Sequence, residues 1–282
     1  MSDDGAPLRG IESLREVSGD YDTLFCDVWG VVHDGVRQNP EAVAALRRAR
    51  EDGARVVLLT NSPRPSAGVV AQLGALGVDP EGYDRVVTSG DATRAMIEAG
   101  PRRFLHIGAV RDRDLFDGLD ARPVAEDEAE GIVVTGLRDD ERETPEDYRA
   151  LLGRLAERRL PLVCANPDIV VHRGERLIFC AGALGALYAE LGGEVHLAGK
   201  PHRPIYEVAS ASLPTPPRRT LCIGDGLFTD VRGAANFGAD CLFVTHGIHR
   251  DELADVLGHP GHLAAAMRER GVSARYMMAS LR

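Results

Sequence analysis

Short apolar runs broken by polar strand ends set the pattern of this chain. Residues 23–27 (Thr-Leu-Phe-Cys-Asp), 55–59 (Arg-Val-Val-Leu-Leu) and 220–223 (Thr-Leu-Cys-Ile) are near-continuous apolar stretches. Such runs predict strands buried on both faces, as in a parallel sheet covered by helices. Between them lie helical signatures. Asn39-Pro40-Glu41 supplies a cap, a first-turn proline and an acid suited to the helix dipole, and Ala42, Val43, Ala45, Leu46 and Ala49 follow on one face. A further helix is expected from Ser66 to about Leu76, closed by Gly77, and a lead-in helix over 8–18. The order β-α-β-α-β through Val86-Val87 implies right-handed crossovers in one parallel sheet.

The middle of the chain reads differently. Strands are predicted at Phe104–Gly108, Ile132–Gly136, Leu160–Ala165 and Arg176–Phe179, with a helix starting at Thr144-Pro145-Glu146 and carrying Tyr148, Leu151, Leu152 and Leu155. This block has the size and βαβ content of an inserted second domain. The first pattern then returns, through a helix from Ala183, the strand Val195–Ala198, a helix from about Pro204 to Ser212, and the strands 220–223 and 241–245.

Composition narrows the reading. The 282 residues are 44% apolar and 27% charged, as expected of a globular protein, with a net charge of −10. That balance argues against a nucleic-acid partner. No stretch approaches the roughly 18 apolar residues of a membrane helix, and the N-terminus lacks the apolar core of a signal peptide. The five cysteines are scattered, form no CxxC pair and mostly sit in apolar runs, the usage of a reducing cytoplasm. The acidic run 126–130 is expected to be a solvated face.

The chemistry lies at the strand ends. Asp27, Thr60-Asn61, Lys200 and Asp225 each follow or adjoin an apolar run. An ionised carboxylate at the edge of a core is unfavourable unless it is paired, hydrogen-bonded or on a metal, so Asp27 alone is either a reactive centre or the cap of a tight loop. If the strands are parallel, their ends converge on the edge where ligands bind in open α/β sheets. Asp27, Asp225 and Asp230 would then require a divalent cation among them, and oxygen ligands suit Mg²⁺. In that arrangement Asp27 attacks phosphorus, Thr60, the Asn61 amide and Lys200 hold the phosphoryl oxygens, and Asp225 and Asp230 bind the metal.

In this order, Phe25-Cys26-Asp27 through Asp34-Gly35, Leu59-Thr60-Asn61, Gly199-Lys200-Pro201 and Gly224-Asp225 to Asp230 resemble the motifs of the haloacid dehalogenase superfamily. Thr88–Thr93, Ala165–Asp168 and Ala181–Leu184 resemble its class IIA branch, which includes NagD-type sugar-phosphate and nucleotide phosphatases. The resemblance spans roughly residues 20–250. It implies a three-layer α/β/α Rossmann-like core over 1–89 and 184–282, with an inserted α/β cap over 90–183 that selects the substrate. It places Asn166 and Asp168 near the cap's specificity face. It implies a cytoplasmic, Mg²⁺-dependent phosphohydrolase acting on a small phosphorylated metabolite through an aspartyl-phosphate. Cap-mediated homodimers occur in similar proteins, and the oligomeric state here stays open.

One position departs from that pattern. Phosphatases of the family carry a second Asp two residues after the nucleophile, as proton donor, and here Trp29 stands there. Its backbone carbonyl can still ligate the metal, but its side chain cannot transfer a proton. Substrates with good leaving groups, or proton transfer by His33, Asp34 or a cap residue, are the alternatives. So is a protein that binds a phosphometabolite without hydrolysing it. A metal-independent 2-haloacid dehalogenase is disfavoured by Asp225, Asp230 and Thr60-Asn61, and by the position of the cap.

Overall fold

The computed structural model describes residues 7–173 and 176–282, of 171–173 and 176 the backbone alone. The chain divides into two compact units. The first comprises Met1–Thr60, Val70–Val87 and Ala209–Arg282, the second Asn61–Val69 and Thr88–Val208.

In chain order the elements begin with β1 (Arg9–Gly10), α1 (Arg15–Ser18), β2 (Thr23–Asp27), α2 (Pro40–Glu51), β3 (Arg55–Thr60), α3 (Ser66–Ala75) and β4 (Arg85–Thr88). The lead-in is therefore not the continuous helix expected over 8–18. Residues 9–10 pair with the final strand instead. Asn39 caps α2 as expected, its side chain accepting from the Ala42 amide.

Next come α4 (Ser89–Ala99), β5 (Arg103–Ile107), β6 (Arg122–Pro123), β7 (Gly131–Val134), α5 (Arg149–Glu157), β8 (Leu162–Cys164), β9 (Val170–Arg173), β10 (Arg176–Phe179), α6 (Ala181–Glu190) and β11 (Val195–Leu197). The chain ends with α7 (Arg203–Ala211), β12 (Thr220–Gly224), α8 (Arg232–Phe237), β13 (Asp240–Val244), α9 (Pro260–Glu269) and β14 (Tyr276–Met278).

The first unit is built on a seven-stranded sheet in the order β1-β14-β13-β12-β2-β3-β4. From β2 the chain winds outward to β3 and β4, then returns on the other side of β2 with β12, β13 and β14. Right-handed crossovers place helices on both faces of such a sheet, giving a doubly wound, Rossmann-like α/β fold. Its apolar runs are buried throughout: Leu24, Phe25, Cys26, Val56, Val57, Leu58, Leu59, Leu221 and Ile223 are each 2% exposed or less. The winding reverses between β2 and β12, which pair in parallel with Ile223 opposite Cys26, while Leu59 of β3 lies opposite Asp27. Ligand sites of open α/β sheets lie at this reversal, beyond the strand ends.

The second unit carries a five-stranded parallel sheet, β11-β8-β7-β5-β6, and the antiparallel pair β9-β10. Alternation along β7 and β8 separates its two apolar layers. Ile132, Val134, Leu162 and Cys164 join Leu152, Leu155, Leu184 and Tyr188 of α5 and α6. Val133 and Val163 turn the other way, toward Ile97, Phe104 and Phe116. The boundary expected at 183 therefore falls inside a helix that belongs to this unit, and β11 pairs with β8 rather than with the first sheet. Among the described residues, no helix is long and apolar enough to cross a membrane.

Candidate active site

Three carboxylates meet at the C-terminal edge of the first sheet. Asp27 ends β2, Asp225 follows β12, and Asp230 sits in the single π-helical turn Leu227–Val231. Each offers an oxygen within 4.8 Å of the others, and all three are buried. Thr60, the last residue of β3, lies one position beyond the residue paired with Asp27. The structure thus brings Asp27, Asp225 and Asp230 together, with Thr60 at the adjoining strand end.

The local backbone is shaped for these groups. Asp225 Oδ2 accepts from the Ile248 amide at 2.8 Å. Asp230 Oδ2 accepts from the Gly226 amide at 3.1 Å and the Thr229 hydroxyl at 3.3 Å. The π turn arises because the Val231 amide reaches back to the Gly226 carbonyl at 3.0 Å, which turns Asp230 toward Gly224 and Gly226. Single π turns are frequent at functional sites. Gly30 has a φ of +87°, and a Cβ there would run into the Asp225 carboxylate. Gly30→Ala is expected to destabilise by about 1–3 kcal/mol through the left-handed backbone and the collision. It should also weaken the stabilisation given by Mg²⁺. Thermal melts with and without Mg²⁺ read both effects.

A divalent cation fits this trio. At an effective dielectric near 20, each pair of charges this close repels by about 3 kcal/mol or more. The donors are all oxygens, which suits a hard ion such as Mg²⁺ or Ca²⁺. Among the described residues no hydrogen bond takes the Trp29 carbonyl, so it remains available as a further oxygen ligand.

The loop after Asp27 carries Trp29 at the position where the sequence resemblance leads a second Asp to be expected. The Val28 carbonyl accepts from the Val32 and His33 amides at 2.9 and 3.1 Å, and the Gly30 amide donates to the His33 carbonyl at 2.8 Å. This tight loop leaves the Trp29 side chain 60% exposed. The indole is nonetheless held. It stands edge-on to the His33 ring at 5.2 Å and lies so close to Gly35 (φ +91°) that a Cβ there would strike it. His33 is buried, which lowers its pKa despite the nearby Asp34 charge, and its Nδ1 accepts from the Gly35 amide at 2.9 Å. One carboxylate oxygen of the exposed Asp34 is committed to the loop. Its Oδ1 takes the Val36 and Arg37 amides, and these bonds lower its pKa. Of the two loop alternatives for proton transfer, Asp34 is thus a turn residue whose pKa is lowered by backbone amides, and His33 a buried imidazole whose pKa is lowered by desolvation.

A second set of expected residues meets within the second unit. The Asn61 side chain clamps the main chain of Lys200. Its Oδ1 accepts from the Lys200 amide at 2.7 Å, and its Nδ2 donates to the Lys200 carbonyl at 3.1 Å. Nδ2 also lies 3.3 Å from Asp168 Oδ1. Asn166 builds the turn, its Oδ1 accepting from the Asp168 amide at 2.9 Å. Lys200 is 3% exposed. Gly199 has no room for a side chain, since a Cβ would meet Asn61 Oδ1, Pro167 and Ser89. Sequence reasoning assigned Asn61 by its backbone amide and missed this side-chain clamp. The polar triplet at a strand end was the only signal for it.

Comparison with known proteins shows the family. The family model for haloacid dehalogenase-like hydrolases matches residues 24–122, and a second, HAD-hydrolase-like, matches 197–269. The crystal structure of a haloacid dehalogenase-like family hydrolase from Brucella suis 1330 is 51% identical, with a TM-score of 0.81, covering 96% of this chain and 100% of that one. D-glycerol 3-phosphate phosphatase of Mycobacterium tuberculosis is 28% identical over 84% of this chain, which spans 66% of that protein's length. The crystal structure of glycerol phosphate phosphatase from the same organism, in complex with calcium, has a TM-score of 0.67 at 28% identity, over 82% of this chain and 68% of that one.

Proposed function

Because this chain belongs to the haloacid dehalogenase-like family of hydrolases, we propose that it is a phosphatase-type member, a Mg²⁺-dependent phosphohydrolase of small phosphorylated metabolites. The observation that carries the reading is the buried trio Asp27, Asp225 and Asp230. Relatives named as glycerol phosphate phosphatases support a small substrate. A cytoplasmic location belongs to the same reading, since the five cysteines are scattered along the sequence and form no CxxC pair.

In this reading an Asp27 oxygen attacks phosphorus, the bond to the leaving oxygen breaks, and an aspartyl-phosphate forms that water then hydrolyses. Thr60, the Asn61 amide and Lys200 hold the phosphoryl oxygens, and the clamp on the Lys200 main chain fixes where its side chain starts. Asp27, the Trp29 carbonyl, Asp225 and Asp230 would hold Mg²⁺. When bound, the ion supplies positive charge against the trio and the phosphoryl group. Asn166 and Asp168 form the turn through which the second unit meets the substrate. No carboxyl stands at position 29 to protonate the leaving oxygen, so esters with acidic leaving groups are favoured.

Chelation tests the metal directly. EDTA is expected to abolish phosphate release from p-nitrophenyl phosphate, and Mg²⁺ to restore it. Mg²⁺ at a hundredfold excess over its Kd should stabilise the fold by about 2.7 kcal/mol. Undiminished turnover after chelation would remove the metal from the mechanism.

A further inference from the structure

The second unit holds a cationic cavity that the chemistry above does not use. β5, β6 and β7 run parallel, so the segments that follow them gather at one edge of the sheet. There a cavity of about 580 Å³ is lined by His106, Arg113 and Arg138, with Val110, Pro123 and Val124 as apolar wall. No Asp or Glu is among its lining residues. Among the described residues, neither guanidinium has a carboxylate partner. Other arginines of this unit do: Arg103 with Glu130, Arg111 with Asp140, Arg149 with Glu146 and Arg154 with Glu126. Arg138 also borders a neighbouring concavity with Glu126, Glu143 and Asp147, but on the side facing His106 the two guanidiniums make the lining positive, which favours an anion there.

The cavity wall is constructed, too. The Arg138 guanidinium lies over the Tyr148 ring, 5.8 Å from its centroid, while its main-chain amide donates to the Tyr148 hydroxyl at 2.8 Å. His106 Nε2 is 3.0 Å from Thr135 Oγ1, whose hydroxyl donates to Asp112 Oδ2 at 2.8 Å, and the imidazole packs edge-on to Phe116. Burial, with the charges of Arg113 and Arg138, pushes the His106 pKa down to about 4. Both guanidiniums therefore act on the same imidazole. Gly108 has no room for a side chain, because a Cβ there would strike Thr135 Oγ1 and crowd His106 Nε2.

We propose that this cavity binds a small organic anion, its carboxylate or phosphate held by Arg113 and Arg138 and its aliphatic body against Val110, Pro123 and Val124. The volume is that of a metabolite site. None of the lining residues belongs to the sets around Asp27 or Lys200, so the proposal does not rest on the phosphatase reading.

Calorimetric titration of the full-length protein with citrate, in Mg²⁺-free buffer at low salt, tests it. Wild type is expected to bind, and the Arg113→Gln/Arg138→Gln double variant to bind about tenfold or more weakly, having lost two charge-assisted contacts. A Lys200→Met variant should bind as wild type does. Equal affinity of wild type and double variant, absence of binding to wild type, or loss confined to Lys200→Met overturns the proposal. Two sources of the anion are separated kinetically. If citrate alters p-nitrophenyl phosphate turnover in wild type and not in the double variant, the occupant is a separate effector. If the double variant raises KM only for phosphate esters bearing a second anionic group, the occupant is the far end of the substrate.

Discussion

Asp27→Asn is expected to lower kcat for p-nitrophenyl phosphate by on the order of 10⁴-fold or more, because a carboxamide cannot form the covalent intermediate. The same substitution should not damage the fold. Asp27 is buried beside Asp225 and Asp230, and removing one of three clustered charges relieves repulsion in the metal-free protein. The metal-free variant should therefore melt at or above the wild-type temperature, while gaining less from added Mg²⁺. Loss of turnover together with loss of folding would be a structural result. Loss of turnover with raised metal-free stability identifies the nucleophile. Retention of a tenth of the activity would exclude it.

Trp29→Asp carries the second large effect and has the opposite sign. The indole is exposed, so it fills no core space, and a carboxylate at this position restores a proton donor two residues from Asp27. General acid–base help is worth roughly 10²–10⁴-fold. We expect a gain of that order in kcat/KM for alkyl phosphates such as glycerol phosphate. Little gain is expected for p-nitrophenyl phosphate, whose leaving group departs without protonation. Measuring both substrates on both proteins makes the comparison internal. No gain on alkyl esters would show that proton transfer is supplied elsewhere, with buried His33 the first residue to examine. A wild type and variant that both bind phosphate with Mg²⁺ and turn over neither ester would instead describe a binding protein.

The legible parts of the molecule are those where composition and burial coincide. β2, β3 and β12 are covered on both faces, which forces continuous apolar runs, and their polar ends stand out against them. That contrast is why Asp27, Thr60 and Asp225 could be placed from sequence. Pairing is another matter, because it is not written into local composition. Val195–Leu197 reads as a strand wherever it pairs, and only the structure shows it beside β8. α6 is apolar almost all round, so its sequence names no particular sheet. β1 and β6 are two residues long, too short for any periodicity. Asn61 was legible as a polar strand end but not as a clamp, since its partner Lys200 is distant in sequence. Asp34 was readable as a carboxylate near the nucleophile, yet its commitment to the Val36 and Arg37 amides depends on loop geometry.

The pairing of β2 with β12 bears on how the chain is made. Thr23 lies opposite Thr220, so the strand bearing Asp27 waits for nearly the last quarter of the polypeptide to be synthesised before its second neighbour exists. Until then β2 and β3 present an apolar, half-paired sheet, the kind of exposed edge that aggregates and that slows folding by long loop closure. The second unit has no such delay, because β5, β7, β8 and β11 lie within one uninterrupted stretch and can pair as they emerge. All strands of the inserted unit are thus synthesised before the sheet that flanks it in sequence can be completed. The carboxylate trio assembles only after Asp225 and Asp230 arrive, so a chain truncated before β12 has neither a finished central sheet nor a metal site.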